Sequence, residues 1–323
     1  MRKEWKEGSI RGQLVRAIMA DVTATEHLGR KIQTGELRAN PKEMEWRCPR
    51  KYVWEKIKRK NYTLEVHSPR KKEGDLWILQ LHGGGYIGPM KNAYRNFAIK
   101  YSEVNEGATV VTPDYRVAPE HPFPAALKDC IDAYQWILAK GVTEEQIVVV
   151  GDSAGGGLTF ALGHWLKKKK KKMPKAMITM SAWTDVTCSG SSYKENFDKD
   201  PLFGNTTESM LYRKDYMGDH DLKNPYISPI YGELTGFPPI HMQAGSYEML
   251  LSDTEDFAKK AEQSGVLVEV VIFEGMFHVF PMAGALVPET KEAWKAIKNF
   301  FDRIYEREQE SDEKQEVIEN FSQ

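Results

Sequence analysis

Short apolar runs alternate with stretches of helical spacing along most of this chain, and this alternation constrains its fold more than any other feature. The apolar runs lie at 77–81, 108–111, 147–150 and 176–180, and apolar residues recur at helical spacing over 154–168. A parallel sheet covered on both faces gives its strands continuous apolar runs. The sequence therefore predicts an α/β fold with a mostly parallel central sheet and helices on both faces.

The stretch from Val186 to Phe237 interrupts this rhythm and is rich in Ser, Asp, Asn, Gly and Tyr. The alternation resumes after it, with strands predicted at 240–242 and 268–273 and helices at 254–263 and 289–305. A long insertion between two strands of a compact domain is usually a cap or lid over a functional site.

Apolar residues also recur at roughly helical spacing near the N-terminus, between Arg2 and Lys31. This spacing, at Ile10, Leu14, Ile18 and Val22, predicts one or two amphipathic helices. A signal peptide is not predicted, because the first residues lack an apolar run, and no run of about 18 apolar residues follows.

The charge of the chain is balanced, with 45 basic and 46 acidic side chains and a formal net charge of −1. This balance gives no overall attraction to nucleic acid or to an anionic membrane, and neither is an expected partner. The three cysteines, Cys48, Cys130 and Cys188, are widely spaced and indicate neither disulfides nor a zinc site. A cytoplasmic location is the expectation that follows.

Two charged segments stand out from this balance. Six consecutive lysines at Lys167–Lys172 allow two interpretations, a docking patch for polyanions or a solvated helix end that complements the helix dipole. The second is favoured because no other basic cluster or interleaved aromatic residue lies nearby in sequence. The C-terminal tail at about 308–323 is highly charged and is expected to be frayed.

The segment Gly151-Asp152-Ser153-Ala154-Gly155 fits the pattern G-x-S-x-G between a predicted strand and a predicted helix. A sharp strand-to-helix turn of this kind lifts a serine hydroxyl above the sheet, where it can act as a nucleophile. The pattern alone is common, and a helix-capping serine is its plainer explanation. The flanking strand and the following glycines favour a nucleophilic Ser153.

The segment His82-Gly83-Gly84-Gly85 directly follows the strand predicted at 77–81. Consecutive glycines let main-chain N–H groups converge on one point, which acyl transfer requires to stabilise an oxyanion. We assign the donors to the amides of Gly83, Gly84 and Ala154. His82 itself is expected to brace the loop rather than act as a base.

His278 follows the strand predicted at 268–273 and lies in Met276-Phe277-His278-Val279. A loop in this place meets the carboxyl edge of the sheet, where sites form in open α/β sheets. His278 is therefore the predicted base for Ser153. The chain order of nucleophile, acid and histidine then places the acid between these two residues.

With these motifs the chain resembles the hormone-sensitive-lipase-like (GDXG) family of α/β-hydrolase carboxylesterases. The segments 114–126, 181–185 and 224–229 also resemble its signatures. The resemblance implies one α/β-hydrolase domain over 1–323, with a cap from about 1–45 and 186–237.

The catalytic acid is where the chain departs from the family pattern, which commonly has Asp-Pro-Leu-x-Asp-Glu after the penultimate strand. Matching without gaps places Glu248 at the acid position. Glutamate can serve there because the role is to orient and stabilise the imidazolium. Asp253 is the rival, although it falls at the start of a predicted helix and could equally be a cap.

The resemblance implies a serine carboxylesterase that hydrolyses small-molecule short-chain acyl esters through an acyl-enzyme and needs no metal or organic cofactor. Tyr86 is expected to help shape the substrate pockets. An acetyl-ester deacetylase or an amidase acting on a specific metabolite or sugar is the alternative enzyme. A ligand-binding receptor on the same scaffold is the non-enzyme alternative, disfavoured because His278 is present. A homodimer is expected by analogy with relatives that pair through the last helix and edge strand.

Overall fold

The computed structural model describes residues 2–5, 8–25, 43–71, 74–206, 209, 211 and 214–321. Within them, nine strands form one sheet in the spatial order β1-β9-β8-β7-β6-β4-β5-β3-β2. The β2–β3 and β3–β5 pairs are antiparallel and the other pairs are parallel, which confirms the predicted mostly parallel sheet. The strands are β1 (Arg2–Trp5), β2 (Tyr52–Lys58), β3 (Thr63–Pro69), β4 (Trp77–Leu81), β5 (Thr109–Asp114), β6 (Ile147–Asp152), β7 (Ala176–Met180), β8 (Ile240–Gly245) and β9 (Val268–Phe273).

Helices cover both faces of this sheet, as the apolar runs predict. Neighbouring residues of β6 show the two faces. Val149 belongs to one apolar cluster with the helices at 154–168 and 251–263, and Val150 belongs to another with the helices at 92–104 and 289–321. No helix among the described residues is both long and apolar enough to cross a membrane. The helices are α1 (Ile10–Thr25), α2 (Asn92–Val104), α3 (Ala125–Leu138), α4 (Ala154–Lys168), α5 (Ser192–Glu195), α6 (Leu251–Gln263) and α7 (Glu289–Phe321).

The N-terminus differs in part from its prediction. Residues 2–5 form the edge strand β1, parallel to β9, rather than the start of a helix. The predicted helix is present as α1, but Ile10 and Leu14 are 86% and 59% exposed. Helix α1 instead faces the protein through Arg16, which donates a hydrogen bond to the Gly275 carbonyl at 2.8 Å. Residues 6–7 and 26–31 of the predicted helical segment, and residues 26–42 of the predicted 1–45 cap, lie outside the described residues.

The insertion at 186–237 is mostly irregular, with α5 and a 3₁₀ turn at Pro229–Tyr231. Its large side chains are nevertheless buried in the same apolar cluster as α4 and α6, among them Phe203, Tyr216 and Leu234. The insertion is therefore packed onto the carboxyl edge of the sheet by burial of apolar area.

The two charged segments have different outcomes. Helix α4 ends at Lys168, the lysines after it are exposed, and the end residues of the run pair with Glu233 and Glu145. This placement fits a solvated helix end. In the structure α7 continues as a helix through the tail to Phe321, and fraying of this tail stays a prediction.

Candidate active site

Ser153 occupies a sharp turn between β6 and α4. Its φ and ψ of 53° and −122° lie where non-glycine residues are rarely found, which marks strain stored at the turn. Its amide donates to the Met180 carbonyl at 3.0 Å, and its carbonyl accepts from Trp183 at 2.9 Å. The neighbouring strand β7 and the loop after it therefore hold the turn in this conformation.

Glycines next to Ser153 allow this close approach. A Cβ on Gly155 would lie 2.0 Å from the Leu81 carbonyl oxygen, and one on Gly151 would lie 2.3 Å from the Gly155 carbonyl oxygen. Both contacts are far inside van der Waals distance, so a side chain at either position would push α4 off the sheet. The glycines of the motif are therefore required by packing as well as by the turn.

The glycine loop after β4 lies directly against this turn. A Cβ on Gly83 would be 3.1 Å from the Ser153 Cβ, and Gly84 has a φ of +111° that favours glycine. Ala154 follows Ser153 as the first residue of α4. Among the described residues, the amides of Gly83, Gly84 and Ala154 donate to no main-chain carbonyl. Gly83 and Ala154 therefore lie next to Ser153, and Gly84 follows Gly83 in the same loop.

His82 has the bracing position expected for it. Its ring stacks on Tyr115 with centroids 4.0 Å apart, and its Nδ1 lies 2.8 Å from the Gly83 carbonyl oxygen. Complete burial lowers its pKa to about 4, so the ring is neutral at physiological pH.

His278 and Glu248 form a buried pair at the same sheet edge. The His278 Nδ1 lies 2.8 Å from the Glu248 Oε2, and the side chains are 4% and 0% exposed. The other carboxylate oxygen of Glu248 accepts from the Gly245 amide at 2.6 Å and from the Ser181 hydroxyl at 3.0 Å. Three donors therefore fix this carboxylate, and it in turn fixes the imidazole tautomer that leaves Nε2 free to accept a proton.

No hydrogen bond joins the Ser153 hydroxyl to His278 among the described residues. The imidazole is nevertheless close enough to Asp152, the residue before the nucleophile, for its charge to lower the pKa of that carboxyl. The hydrogen bond between a catalytic serine and its histidine is often long in the free enzyme and shortens when substrate binds.

Asp253, the rival acid, lies elsewhere. Its Oδ1 accepts from the amides of Thr184 and Asp185 at 2.7 and 2.8 Å, in the loop after β7. Burial raises the pKa of this carboxyl well above its usual value. Asp253 thus anchors a loop, and Glu248 is the carboxylate that meets the histidine.

Ser181 is a site residue to which sequence reasoning gave no role. Its hydroxyl donates to Glu248 and accepts from the Val279 amide at 3.0 Å, so it joins the acid to the backbone beside His278. Its φ is 50°, and it follows β7 directly. Its position at the carboxyl end of a central strand could have placed Ser181 near the site. A serine side chain alone, however, does not indicate a hydrogen bond to the catalytic acid.

Tyr86 lies in an aromatic wall beside the helix that follows Ser153. Its ring stacks on Tyr216 of the insertion with centroids 3.9 Å apart, and it lies 5.7 Å from the Trp183 ring. A Cβ on Gly157, one turn into α4 from Ser153, would lie 2.4 Å from the Tyr86 hydroxyl. The wall therefore packs tightly on the helix that follows the nucleophile.

Asp152 gives this site an unusual buried acid. Burial raises its pKa to about 7, although the charge of His278 and a hydrogen bond from the Gly83 amide oppose the shift. The folded protein therefore keeps this proton up to about pH 7, whereas the unfolded chain releases it near pH 4. Because the unfolded state binds fewer protons between these values, stability falls as the pH rises through this window.

Replacing Asp152 with Asn is expected to remove this pH-dependent loss of stability. The amide keeps the size of the side chain and an oxygen that can accept from Gly83, but it does not ionise. In urea unfolding at pH 5 and pH 8, the decrease in the free energy of unfolding between the two should be about 3 kcal/mol smaller in the variant. Asp219→Asn, at an exposed acid, is the control. An equal decrease in Asp152→Asn and wild type would contradict the assignment.

Comparison with known proteins places this geometry in a family. Residues 78–282 match the family described as having the alpha/beta hydrolase fold. An esterase of Acinetobacter venetianus is 34% identical over 69% of this chain and 73% of its own, and an acetyl-hydrolase of Streptomyces hygroscopicus is 32% identical over 72% and 76%. The crystal structure of a hormone-sensitive lipase from a metagenome library superposes with a TM-score of 0.80 at 30% identity, covering 92% of this chain and 99% of that one.

The chain belongs to the hormone-sensitive-lipase-like family of α/β hydrolases. This confirms the resemblance found in its motifs, and it makes the protein a carboxylic ester hydrolase. The fold predicted from the apolar runs is likewise the fold of the family.

Proposed function

We propose that the protein hydrolyses short-chain esters of small molecules through an acyl-enzyme on Ser153. The observation that supports this most directly is the 2.8 Å contact between His278 and Glu248 at the sheet edge where Ser153 also lies. A histidine oriented by a buried carboxylate is the base that an unactivated serine hydroxyl needs.

In this proposal the Ser153 oxygen attacks the ester carbonyl while the His278 Nε2 takes its proton. The bond to the alcohol then breaks, and the imidazolium returns the proton to the leaving oxygen. Water, deprotonated by the same imidazole, attacks the acyl-enzyme and releases the acid and the free serine. Glu248 holds the ring and balances its charge in both steps.

The amides of Gly83, Gly84 and Ala154 are the proposed oxyanion donors. Their support is that Gly83 and Ala154 lie next to Ser153, that Gly84 continues the Gly83 loop, and that none of the three amides donates to a main-chain carbonyl among the described residues. The Gly83 amide also bonds the Asp152 carboxyl. Donors held by the backbone need no reorganisation when charge develops on the carbonyl oxygen.

The preference for short acyl chains is supported by the aromatic wall of Tyr86, Tyr216 and Trp183, which is fully packed beside the nucleophile. The acetyl-hydrolase relative supports the narrower alternative of an acetyl-ester deacetylase. In both cases we propose that the insertion, together with α1, caps the site. A cytoplasmic location and a homodimer stay predictions, the first compatible with the three free cysteines.

A fluorophosphonate probe and a p-nitrophenyl ester series test this proposal together. The probe should label the protein once, with the modified peptide containing Ser153. Acetate and butyrate esters should be hydrolysed with kcat/KM at least about tenfold above the decanoate ester, because each extra methylene must displace packed aromatic rings. Labelling at another residue would contradict the nucleophile. Faster hydrolysis of the decanoate ester would contradict the short-chain preference while leaving the nucleophile intact.

A further inference from the structure

The insertion does more than cover the sheet edge, because its polar side chains bind the loop that carries Glu248. The Asn196 amide group donates to the carbonyls of Ser246 and Glu248, both at 2.9 Å. The Ser192 hydroxyl donates to the Met249 carbonyl at 2.6 Å. Both of these side chains are buried. Residues 246–249, called the acid loop below, are therefore held at three main-chain carbonyls by buried side chains of the insertion.

Asp200 makes the corresponding contact with a main-chain amide. Its Oδ2 accepts from the Met249 amide at 2.7 Å, directly after Glu248. Its Oδ1 accepts from the amides of Leu202 and Phe203 at 2.8 and 3.0 Å. The side chain is 2% exposed, so one buried carboxylate bridges the acid loop and the insertion.

Phe203 connects the Asp200 hydrogen bonds to His278. Its ring lies against His278 with centroids 4.7 Å apart and planes inclined by 60°, and it is 2% exposed. The amide that Asp200 holds therefore belongs to the residue that packs on His278. Both members of the His278–Glu248 pair are thus in contact with parts of the chain that Asp200 fixes.

We propose that Asp200 is a positioning residue, which sets the Glu248 loop and Phe203 so that the acid and the histidine keep their hydrogen-bond distance. The proposal rests on the proposed function of the triad. It gives the insertion a part in catalysis beyond covering the substrate. Without the Asp200 hydrogen bonds, both Glu248 and His278 would lose a contact that holds them in place.

Asp200→Asn changes this bridge with little change in shape. An amide can accept through one oxygen only, so its NH₂ group must face either the Met249 amide or the amides of Leu202 and Phe203. Donor then faces donor in a buried place, and the acid loop or Phe203 has to move. A displacement of about 1 Å at a catalytic group lowers rates by as much as about a hundredfold.

We expect Asp200→Asn to lower kcat for p-nitrophenyl acetate by about ten- to a hundredfold with KM within about threefold of wild type. The rate of labelling by the fluorophosphonate should fall in parallel. The acidic limb of the kcat/KM profile should move to lower pH, because the imidazolium loses part of its counterion. Part of that shift comes from the lost charge of Asp200 itself. The same shift in Asn196→Ala, which changes no charge, is what a purely structural role would not produce. Asp198→Asn, two residues away at an exposed acid, is the matched control.

Asn196→Ala supplies a second test that does not touch Asp200. It leaves the Ser246 carbonyl without its side-chain donor and leaves the Glu248 carbonyl with the Leu251 amide alone, so it should move kcat and the acidic limb in the same direction. If Asp200→Asn fails to fold by circular dichroism, this variant alone decides. A folded variant with kcat and acidic limb equal to those of Asp198→Asn would overturn the positioning role. Such a result would leave the proposed function standing, since its nucleophile is tested by the labelling site and its chain-length preference by the ester series, neither of which depends on Asp200.

Discussion

Replacing Ser153 with alanine is expected to lower kcat for p-nitrophenyl acetate by about 10⁴- to 10⁶-fold. The size of the effect follows from the covalent step, because no acyl-enzyme forms without the hydroxyl and the remaining groups act as a unit with it. Activity above that of water alone should survive through the oxyanion donors. Fluorophosphonate labelling should disappear.

Folding must be unchanged for this loss to be meaningful. Alanine keeps the Cβ that serine already has in this turn and loses only the hydroxyl. The main-chain hydrogen bonds of residue 153 to Met180 and Trp183 do not use that hydroxyl. Thermal unfolding should therefore change little. Ser191→Ala is the control, since that serine is exposed and its side chain does not cap α5. Retention of more than about a tenth of wild-type kcat in Ser153→Ala would show that another group is the nucleophile.

The features that sequence analysis located well are those with a local physical requirement. Gly151, Ser153 and Gly155 are recognisable because the turn and the close helix tolerate few other residues. The strands β4, β7 and β9 were predicted at their observed bounds because strands buried on both faces have continuous apolar runs.

Features that depend on distant contacts were not recoverable in this way. Ser181 and Asp200 act through hydrogen bonds to residues 67 and 49 positions away in sequence, and neither residue type announces such a partner. Helix α2 went unpredicted, and so did the antiparallel strand β2, whose half-buried pattern is weaker than that of the central strands.

The N-terminal helix shows a different failure. Its apolar spacing at Ile10, Leu14 and Ile18 is real, but those side chains are exposed, and the helix packs through its other face. Periodicity identifies an apolar stripe without stating what covers it. The helix itself could be predicted from the sequence, whereas its orientation could not.

The second large effect distinguishes Glu248 from Asp253, which the sequence leaves open. Glu248→Gln is expected to lower kcat by about 10³- to 10⁴-fold. The new amide oxygen can still accept from Gly245 and Ser181, but its NH₂ group then faces the N–H of His278. The imidazole must take the other tautomer, in which Nε2 carries a proton and cannot accept one from Ser153.

Asp253→Asn should keep kcat within about threefold of wild type, because this carboxyl does not contact His278. Burial raises the pKa of this carboxyl well above its usual value, so the neutral amide of asparagine costs less to bury than the carboxylate that it replaces. Its Oδ1 can still accept from Thr184 and Asp185. Both variants remove one buried carboxyl by the same chemical change, and each is the other's control. A large loss of kcat in Asp253→Asn with little loss in Glu248→Gln would reverse the assignment of the acid.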